Sequence, residues 1–254
     1  MPYSIAPHMQ LFLLSQRYGP LISLRFGSVP TVINSSAEMA QQFLKTYDHV
    51  FSSRPTISSS KIMVYDAIDV LFSRYGYNWR QLRRICVTKS LSPKRLEFFC
   101  FQREEEVSVM VHSLLEEYAR ISDPVVDVCK IIPNVVVDIM CRMVFGRKYS
   151  DEETYDTGGF KEMIHEFAFM LGVFDIGDFI PYLGWMDLQG LRRQQKEIHK
   201  RADGFYERLI EEHLVQRDMK ETRDFVDILL AMSGQNIAND NISRDNIKAI
   251  LIVS

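Results

Sequence analysis

Apolar residues recurring at intervals of three and four through the second half of this chain are what most restrict its fold. Val107, Met110, Val111, Leu114, Leu115 and Tyr118 fall on one side of a helical projection, because residues three and four apart share a face. Val128, Ile131, Ile132, Val135, Val136, Ile139, Met143 and Val144 form a second stripe, interrupted by Pro133. A proline there removes a backbone donor and predicts a kink or a late helix start. Ser150 and Glu153 have the spacing of a capping box ahead of a helix carrying Met163, Ile164 and Phe167. A long helix then carries Leu191, Ile198, Ala202, Phe205, Leu209, Ile210 and Leu214 on one side and Arg, Lys, Glu and Gln on the other. Ile247 to Val253 reads as apolar all round, which suits a helix buried in the middle of a protein. A chain that stops at Ser254, early in such a helix, points to truncation and to exposed core faces at Ile247–Val253.

Extended structure is confined to the beginning. Leu21–Phe26 and Thr31–Asn34 read as short strands around the turn-forming Gly27-Ser28-Val29-Pro30. Ser35 with Glu38 predicts a helix start, the helix running to about Lys45. Residues 52–75, rich in serine with Pro55 near the start, read as loop. Two short strands against roughly seven helices make the chain mainly α with a small β-sheet portion.

Composition enters where it excludes functions. Thirty basic against thirty-three acidic residues give a net charge of −3, so no basic field suggests a nucleic-acid partner. The cysteines Cys86, Cys100, Cys129 and Cys141 are widely spaced and form no Cys-x-x-Cys pair, the pattern of reduced thiols and not of a disulfide framework or zinc site. No run approaches the roughly 20 apolar residues that span a bilayer. The Gly-rich nucleotide loops, Gly-x-Ser-x-Gly and His-Glu-x-x-His are absent. One Glu-x-x-His pair, Glu162 and His165, occurs without the second pair and further glutamates of a di-iron bundle, and reads as a surface salt-bridging pair. Asn34-Ser35-Ser36 and Asn241-Ile242-Ser243 match the glycosylation triplet, which arises often by chance.

Two clusters remain. In Tyr75-Gly76-Tyr77-Asn78-Trp79-Arg80-Gln81-Leu82-Arg83-Arg84, Trp79 and Arg83 are four apart and share a helix face. An indole N–H beside a guanidinium is a donor pair for a carboxylate or phosphate; the alternative is a packed tryptophan with solvated arginines. The second cluster is Phe174, Ile176, Phe179, Ile180, Tyr182, Leu183, Trp185 and Met186, bounded by Gly172, Gly177, Pro181 and Gly184. It either folds back on the core or meets something apolar outside, such as lipid. Asp175 and Asp178 speak against deep insertion.

These residues carry a resemblance. The Trp79–Arg83 stretch is similar to the C-helix Trp-x-x-x-Arg of the cytochrome P450 family, the haem-thiolate monooxygenases, of plant microsomal type. Supporting matches run in order along nearly all of the chain: Tyr18-Gly19-Pro20, Leu24-Arg25-Phe26-Gly27, Phe51-Ser52-Ser53-Arg54-Pro55, Phe145-Gly146-Arg147-Lys148-Tyr149, Asp178-Phe179-Ile180-Pro181 and Asp187-Leu188-Gln189-Gly190. The last two most resemble plant hydroxylases of flavonoids, terpenoids and other specialised metabolites.

The resemblance implies one partial domain, residues 1–254, covering the family's helices A to H and the start of I, trimmed at both ends. It implies that Trp79 and Arg83 partner a haem propionate. The stretch Thr56 to Phe72, with Tyr65 between, falls at the first substrate-recognition segment, and Phe167 to Phe174 at the second. The cluster at 174–186 falls at the membrane-dipping surface. For the parent enzyme it implies haem as cofactor, an NADPH–cytochrome reductase as electron donor and a small apolar substrate hydroxylated with O₂. It also places the parent on the cytosolic face of the endoplasmic reticulum membrane. The resemblance puts the family's I-helix acid–threonine pair, its Glu-x-x-Arg motif, the Cys loop that ligates iron and the membrane anchor outside these 254 residues, so no metal ligand or catalytic residue is expected within them. The isolated chain is expected to be inactive and aggregation-prone. The alternative from another class is a non-catalytic helical binding or regulatory short isoform.

Overall fold

A computed structural model of the protein describes residues 7–90, 92–119, 126–148, 160–216, 224–233 and 242–253. Helix α1 (Pro7–Tyr18) leads into strands β1 (Leu21–Phe26) and β2 (Val29–Asn34), the only sheet among the described residues. The strands are antiparallel, with Leu21 opposite Asn34 and Phe26 opposite Val29. The turn is therefore just Gly27-Ser28, and the second strand begins earlier than its sequence suggests. Gly27 adopts φ +59, the left-handed conformation that two-residue hairpins require. Pro30 is tolerated inside β2 because both strands of a two-stranded sheet are edges.

Helix α2 (Ala37–Gln41) starts one residue later than its capping pattern predicts. Ser36, not Ser35, is the cap: its hydroxyl accepts from the Met39 N–H at 3.2 Å, while Asn34 Oδ1 accepts from the Ser36 N–H at 2.9 Å. A π-helical turn (Gln42–Thr46) and the short α3 (Asp48–Phe51) follow. The stretch expected as loop contains a helix, α4 (Ser58–Met63). Its serines hid it, since serine competes with helical hydrogen bonding in isolation. Here Ser59 and Ser60 are buried and point into the fold, so tertiary contacts decide the conformation.

Then come α5 (Tyr77–Ile85), a π-helical turn (Cys86–Ser90), α6 (Pro93–Phe98), α7 (Cys100–Tyr118) and α8 (Val128–Phe145). Helix α8 starts at Val128 with Pro133 inside it, so the late start is not observed. It ends at Gly146, whose φ of +75 forms the left-handed cap and whose N–H reaches Arg142 O at 3.1 Å. Next are α9 (Phe160–Gly172), α10 (Ile176–Phe179), a 3₁₀ turn (Pro181–Met186), α11 (Leu191–Gln216), α12 (Phe225–Ser233) and α13 (Arg244–Val253). The expected capping box at Ser150–Glu153 lies outside the described residues.

The core lies where α4, α8, α9, α11, α12 and α13 meet. Phe145 stands edge-on to Phe160 (6.2 Å, 81°) and Phe205 (6.3 Å, 71°), the geometry that ring quadrupoles favour. Met63, Val64, Ile210 and Leu229 are fully buried around them. Ile247, Ala249, Ile250 and Leu251 are buried too, so the core face expected to be open on α13 is covered. That helix is also not apolar all round: Lys248 is buried within it.

The exposed apolar faces are elsewhere. Val107, Val111 and Leu115 of α7 and Val128, Ile132 and Val136 of α8 are all solvent-facing. Among the described residues of α7 only Glu106 is buried; it binds Arg142 Nη1 at 2.5 Å and Lys148 Nζ at 2.7 Å, tying α7 to α8 through charge. On α11, Leu214 is exposed while Gln195, Tyr206 and His213 are buried. A stripe gives a helix a side; which part of that side is covered depends on its neighbours.

Candidate functional site

Between α4 and the start of α5 the chain encloses an open cavity of about 540 Å³, with Thr56, Lys61, Phe72, Arg74, Tyr75 and Tyr77 in its wall. Asp66, Ala67 and Ile68 form another part of that wall. Here Tyr65, Asp66 and Ala67 take φ values of 46, 62 and 58. A left-handed backbone costs a residue with a Cβ about 1–2 kcal/mol, and three in succession need outside support. Past the turn, Asp69 is fully buried and its Oδ1 accepts from the backbone N–H groups of Leu71 and, at 2.8 Å, of Phe72. Burial pushes the Asp69 carboxyl above the usual carboxylate range, although those N–H groups oppose it.

Trp79 and Arg83 come together on α5 as their spacing requires: the guanidinium lies 4.8 Å from the indole centroid. The indole N–H, however, donates to Val70 O at 2.9 Å, so it braces the cavity loop instead of joining Arg83 as a second anion donor. Arg83 is exposed, and no carboxylate among the described residues pairs with it.

The five residues expected at the substrate do not share one wall. Thr56 and Phe72 line the cavity. Tyr65 points away from it, its hydroxyl donating to Asp203 Oδ1 and its ring edge-on to His199 at 4.9 Å. Phe167 is buried in the core. Phe174 is exposed and stacks on Phe179 at 4.5 Å, with 14° between the ring planes. The two segments are nevertheless joined, because the Ser59 hydroxyl donates to Leu171 O at 3.2 Å.

Asp203 and Lys248 escaped the sequence analysis. Lys248 Nζ binds Asp203 Oδ1 at 2.7 Å and Glu207 Oε2 at 2.5 Å. Burial works against both charges, but their mutual hydrogen bonds outweigh it, lowering the Asp203 carboxyl and raising the Lys248 ammonium. Burial first, then Asp203, raises the Tyr65 phenol well above its ordinary value. The legible signal was a single lysine inside the otherwise apolar run Ile247–Val253: buried lysines are rare unless paired.

In the aromatic cluster the acids turn inward. Asp175 accepts from the Gly177 N–H at 2.7 Å and faces Arg192 at 3.5 Å. Asp178 accepts from the Ser58 N–H at 3.0 Å and the Ser58 hydroxyl at 2.5 Å, tying this loop to α4. Gly27 of the hairpin sits so close that a Cβ would lie 2.3 Å from Phe179 O. Tyr182 and Trp185, at 85% and 80% exposure, point out. The acids therefore do not stand on the aromatic surface. No helix among the described residues is long and apolar enough to cross a membrane.

Glu162 and His165 are both exposed. His213, Asp224 and Asp227 bring ligand-type atoms within 4.8 Å of one another, but they form a helix cap. Asp227 N–H donates to Asp224 Oδ1 at 3.0 Å, Asp224 N–H to Asp227 Oδ2 at 3.3 Å, and His213 Nε2 meets Asp224 Oδ2 at 2.9 Å. The three-residue spacing of the two acids is the capping-box signal. Burial, with Asp138 adding to it, pushes the Cys141 thiol up to about 12, and burial also raises Cys86. Both are far from the thiolate that haem iron takes as a ligand.

A family model described as cytochrome P450 matches residues 3–253. Cytochrome P450 750A1 of Pinus taeda is 41% identical over 254 residues, covering 96% of this chain and 48% of its own. Cytochrome P450 71AP13 of Prunus mume is 38% identical over 248 residues, with coverage of 97% and 48%. Phenylacetaldehyde oxime monooxygenase CYP71AN24, also of Prunus mume, is 38% identical over 248 residues, with coverage of 96% and 47%. A solved zebra fish cytochrome P450 with progesterone superposes at a TM-score of 0.72 and 22% identity, over 98% of this chain and 56% of that one. That likeness is one of fold, and it matches the mainly α architecture with a small sheet. This chain spans about half the length of the curated relatives it matches. It belongs to the cytochrome P450 family.

Proposed function

We propose that the whole protein is a haem-dependent monooxygenase that hydroxylates a small apolar specialised metabolite, using O₂ and electrons from NADPH delivered by a flavoprotein reductase. The observation that carries this reading is the exposed Arg83 guanidinium, without a carboxylate partner among the described residues, stacked on Trp79, whose indole N–H is tied to Val70 O. That donor set fits a haem propionate: a guanidinium offers two parallel N–H bonds to a carboxylate. Haem, when bound, supplies the one-electron and O₂ chemistry.

The chain's own residues bind and orient. Arg83 would hold the propionate, with Trp79, fixed by Val70 O, keeping the guanidinium in place. Thr56 and Phe72 offer a hydroxyl and an apolar ring to the substrate. Phe174 is exposed outside the cavity and stacks on Phe179, and Phe167 sets the position of α9 from the core. The outward Tyr182 and Trp185 support contact between the 174–186 loop and a membrane surface, since such rings favour the lipid–water boundary. We place the parent on the cytosolic face of the endoplasmic reticulum. The 254 residues by themselves do not turn over, because none of their cysteines sits in the family's haem loop.

A haem titration followed by tryptophan fluorescence tests this. The chain has two tryptophans, and a Trp185→Phe background isolates Trp79. Haem should quench Trp79, and Arg83→Gln should weaken binding about tenfold through loss of a charge-assisted bond. Quenching indifferent to Arg83→Gln, or hydroxylation by the isolated chain, counts against the reading.

A further inference from the structure

Three consecutive residues with side chains, Tyr65 to Ala67, are left-handed, and two of them, Asp66 and Ala67, form part of the cavity wall. Their local hydrogen bonds are modest: Asp66 N–H to Lys61 O at 3.0 Å and Ala67 N–H to Val64 O at 2.8 Å. Both flanks are anchored, with Met63 and Val64 fully buried on one side and Asp69 on the other. The turn between them is therefore the part able to relax, and it would relax toward right-handed backbone if nothing opposed it.

What opposes it comes from two other helices. The Tyr65 hydroxyl donates to Asp203 of α11. Lys248 of α13 binds the same carboxylate at 2.7 Å and lies 5.8 Å from the Tyr65 ring centroid. His199 of α11 meets the ring edge-on, and its Nδ1 lies 3.0 Å from Met63 O. Arg244 completes the arrangement by holding Glu207, the second partner of Lys248, at 2.6 Å. None of the cavity-lining residues belongs to α11 or α13, yet those helices hold its wall. Asp203 is half-buried and paired with the buried Lys248, and a hydrogen bond to a charged carboxylate is stronger than one between neutral groups.

We propose that Asp203 and Lys248 are positioning residues for the cavity: acting through the Tyr65 hydroxyl, they latch the Tyr65–Ala67 turn in the left-handed conformation that shapes its wall. The significance of the latch for substrate choice rests on the reading that this cavity takes the small apolar substrate. Tyr65 is then a strut behind the wall and not a contact residue.

Hydrogen exchange on the 254-residue chain tests the latch. Tyr65→Phe removes one oxygen and should speed exchange of the amides at 66–72 about tenfold, with α11 and α13 unchanged. Adding Ala67→Gly should restore the slower rate, because glycine adopts positive φ without a Cβ penalty; a role in packing alone would show no such rescue. Unchanged rates in Tyr65→Phe, or faster rates that Ala67→Gly fails to rescue, overturn the proposal. Should Tyr65→Phe not fold, Ala67→Gly alone decides: exchange at 66–72 about threefold slower supports the strained turn, and an unchanged rate refutes it. Naphthalene separates the two ideas. Protection at 56–78 that Tyr65→Phe weakens supports latch and substrate site together. No protection in the wild-type chain counts against the substrate site, and the exchange rates without naphthalene still decide the latch.

Discussion

Glu106 shows how charge holds together two helices whose apolar faces are open. Its side chain is 4% exposed and bonds to Arg142 and Lys148, which are 21% and 25% exposed. Replacing it by glutamine keeps the shape and removes the charge. Breaking a buried ion pair costs about 3–5 kcal/mol when the remaining charge is left buried without a partner. Here Arg142 keeps Glu105 at 2.8 Å, and Lys148 can turn to water, so the cost falls to about 2 kcal/mol. The pH dependence has a definite sign. Burial alone would raise the Glu106 carboxyl, but Lys148 and Arg142 outweigh it and hold it below the usual range. A group depressed in the folded state stabilises above its unfolded value, about 4.3, and loses that contribution as pH falls through the folded value. Urea unfolding of wild-type and Glu106→Gln chains, followed by far-ultraviolet circular dichroism, should differ by about 2 kcal/mol at neutral pH. The difference should shrink below about pH 4. Asp203 is also depressed, but it is common to both chains and cancels in the comparison. A gap under about 0.5 kcal/mol at neutral pH, or one that persists on acidification, would refute this reasoning.

Three further outcomes concern Gln195, Gly146 and the cysteines of α8. Gln195 is fully buried and neither its Oε1 nor its Nε2 has a partner among the described residues, so Gln195→Met should stabilise the chain by about 1–2 kcal/mol; a lower melting temperature would contradict this. Gly146→Ala places a Cβ 2.8 Å from Asp224 Oδ2 at φ +75, and should cost about 2–3 kcal/mol in urea unfolding, whereas a neutral effect would show that the cap relaxes freely. In thiol labelling at mildly alkaline pH, exposed Cys129 should react first and buried Cys141, raised to about 12, at least about 100-fold slower; equal rates would mean that α8 opens readily.

Periodicity and caps were legible because they are local. The stripes of α8, α9 and α11, the hairpin around Gly27 and the Trp79–Arg83 stack each follow from residues within a few positions of one another. The family could be read from motifs in order, and the family model matches across the same span. What stayed hidden depends on partners distant in sequence. Helix α4 forms because its serines meet Leu171 and Asp178, more than a hundred residues away. The stripe of α7 was correct as a pattern but faces solvent, since an amphipathic face needs an opposing face to bury it.

The site divides in the same way. That Trp79 and Arg83 share a face was set by helix pitch; that the indole N–H goes to Val70 was decided by the loop packed against α5. Thr56 and Phe72 could be named from the motif order, and they line one cavity. Tyr65 turns its hydroxyl to Asp203 and Lys248, on helices that no spacing rule connects to it. Burying a charge is costly until a partner is present, and only the assembled fold brings Lys248, Asp203 and Tyr65 within reach of one another.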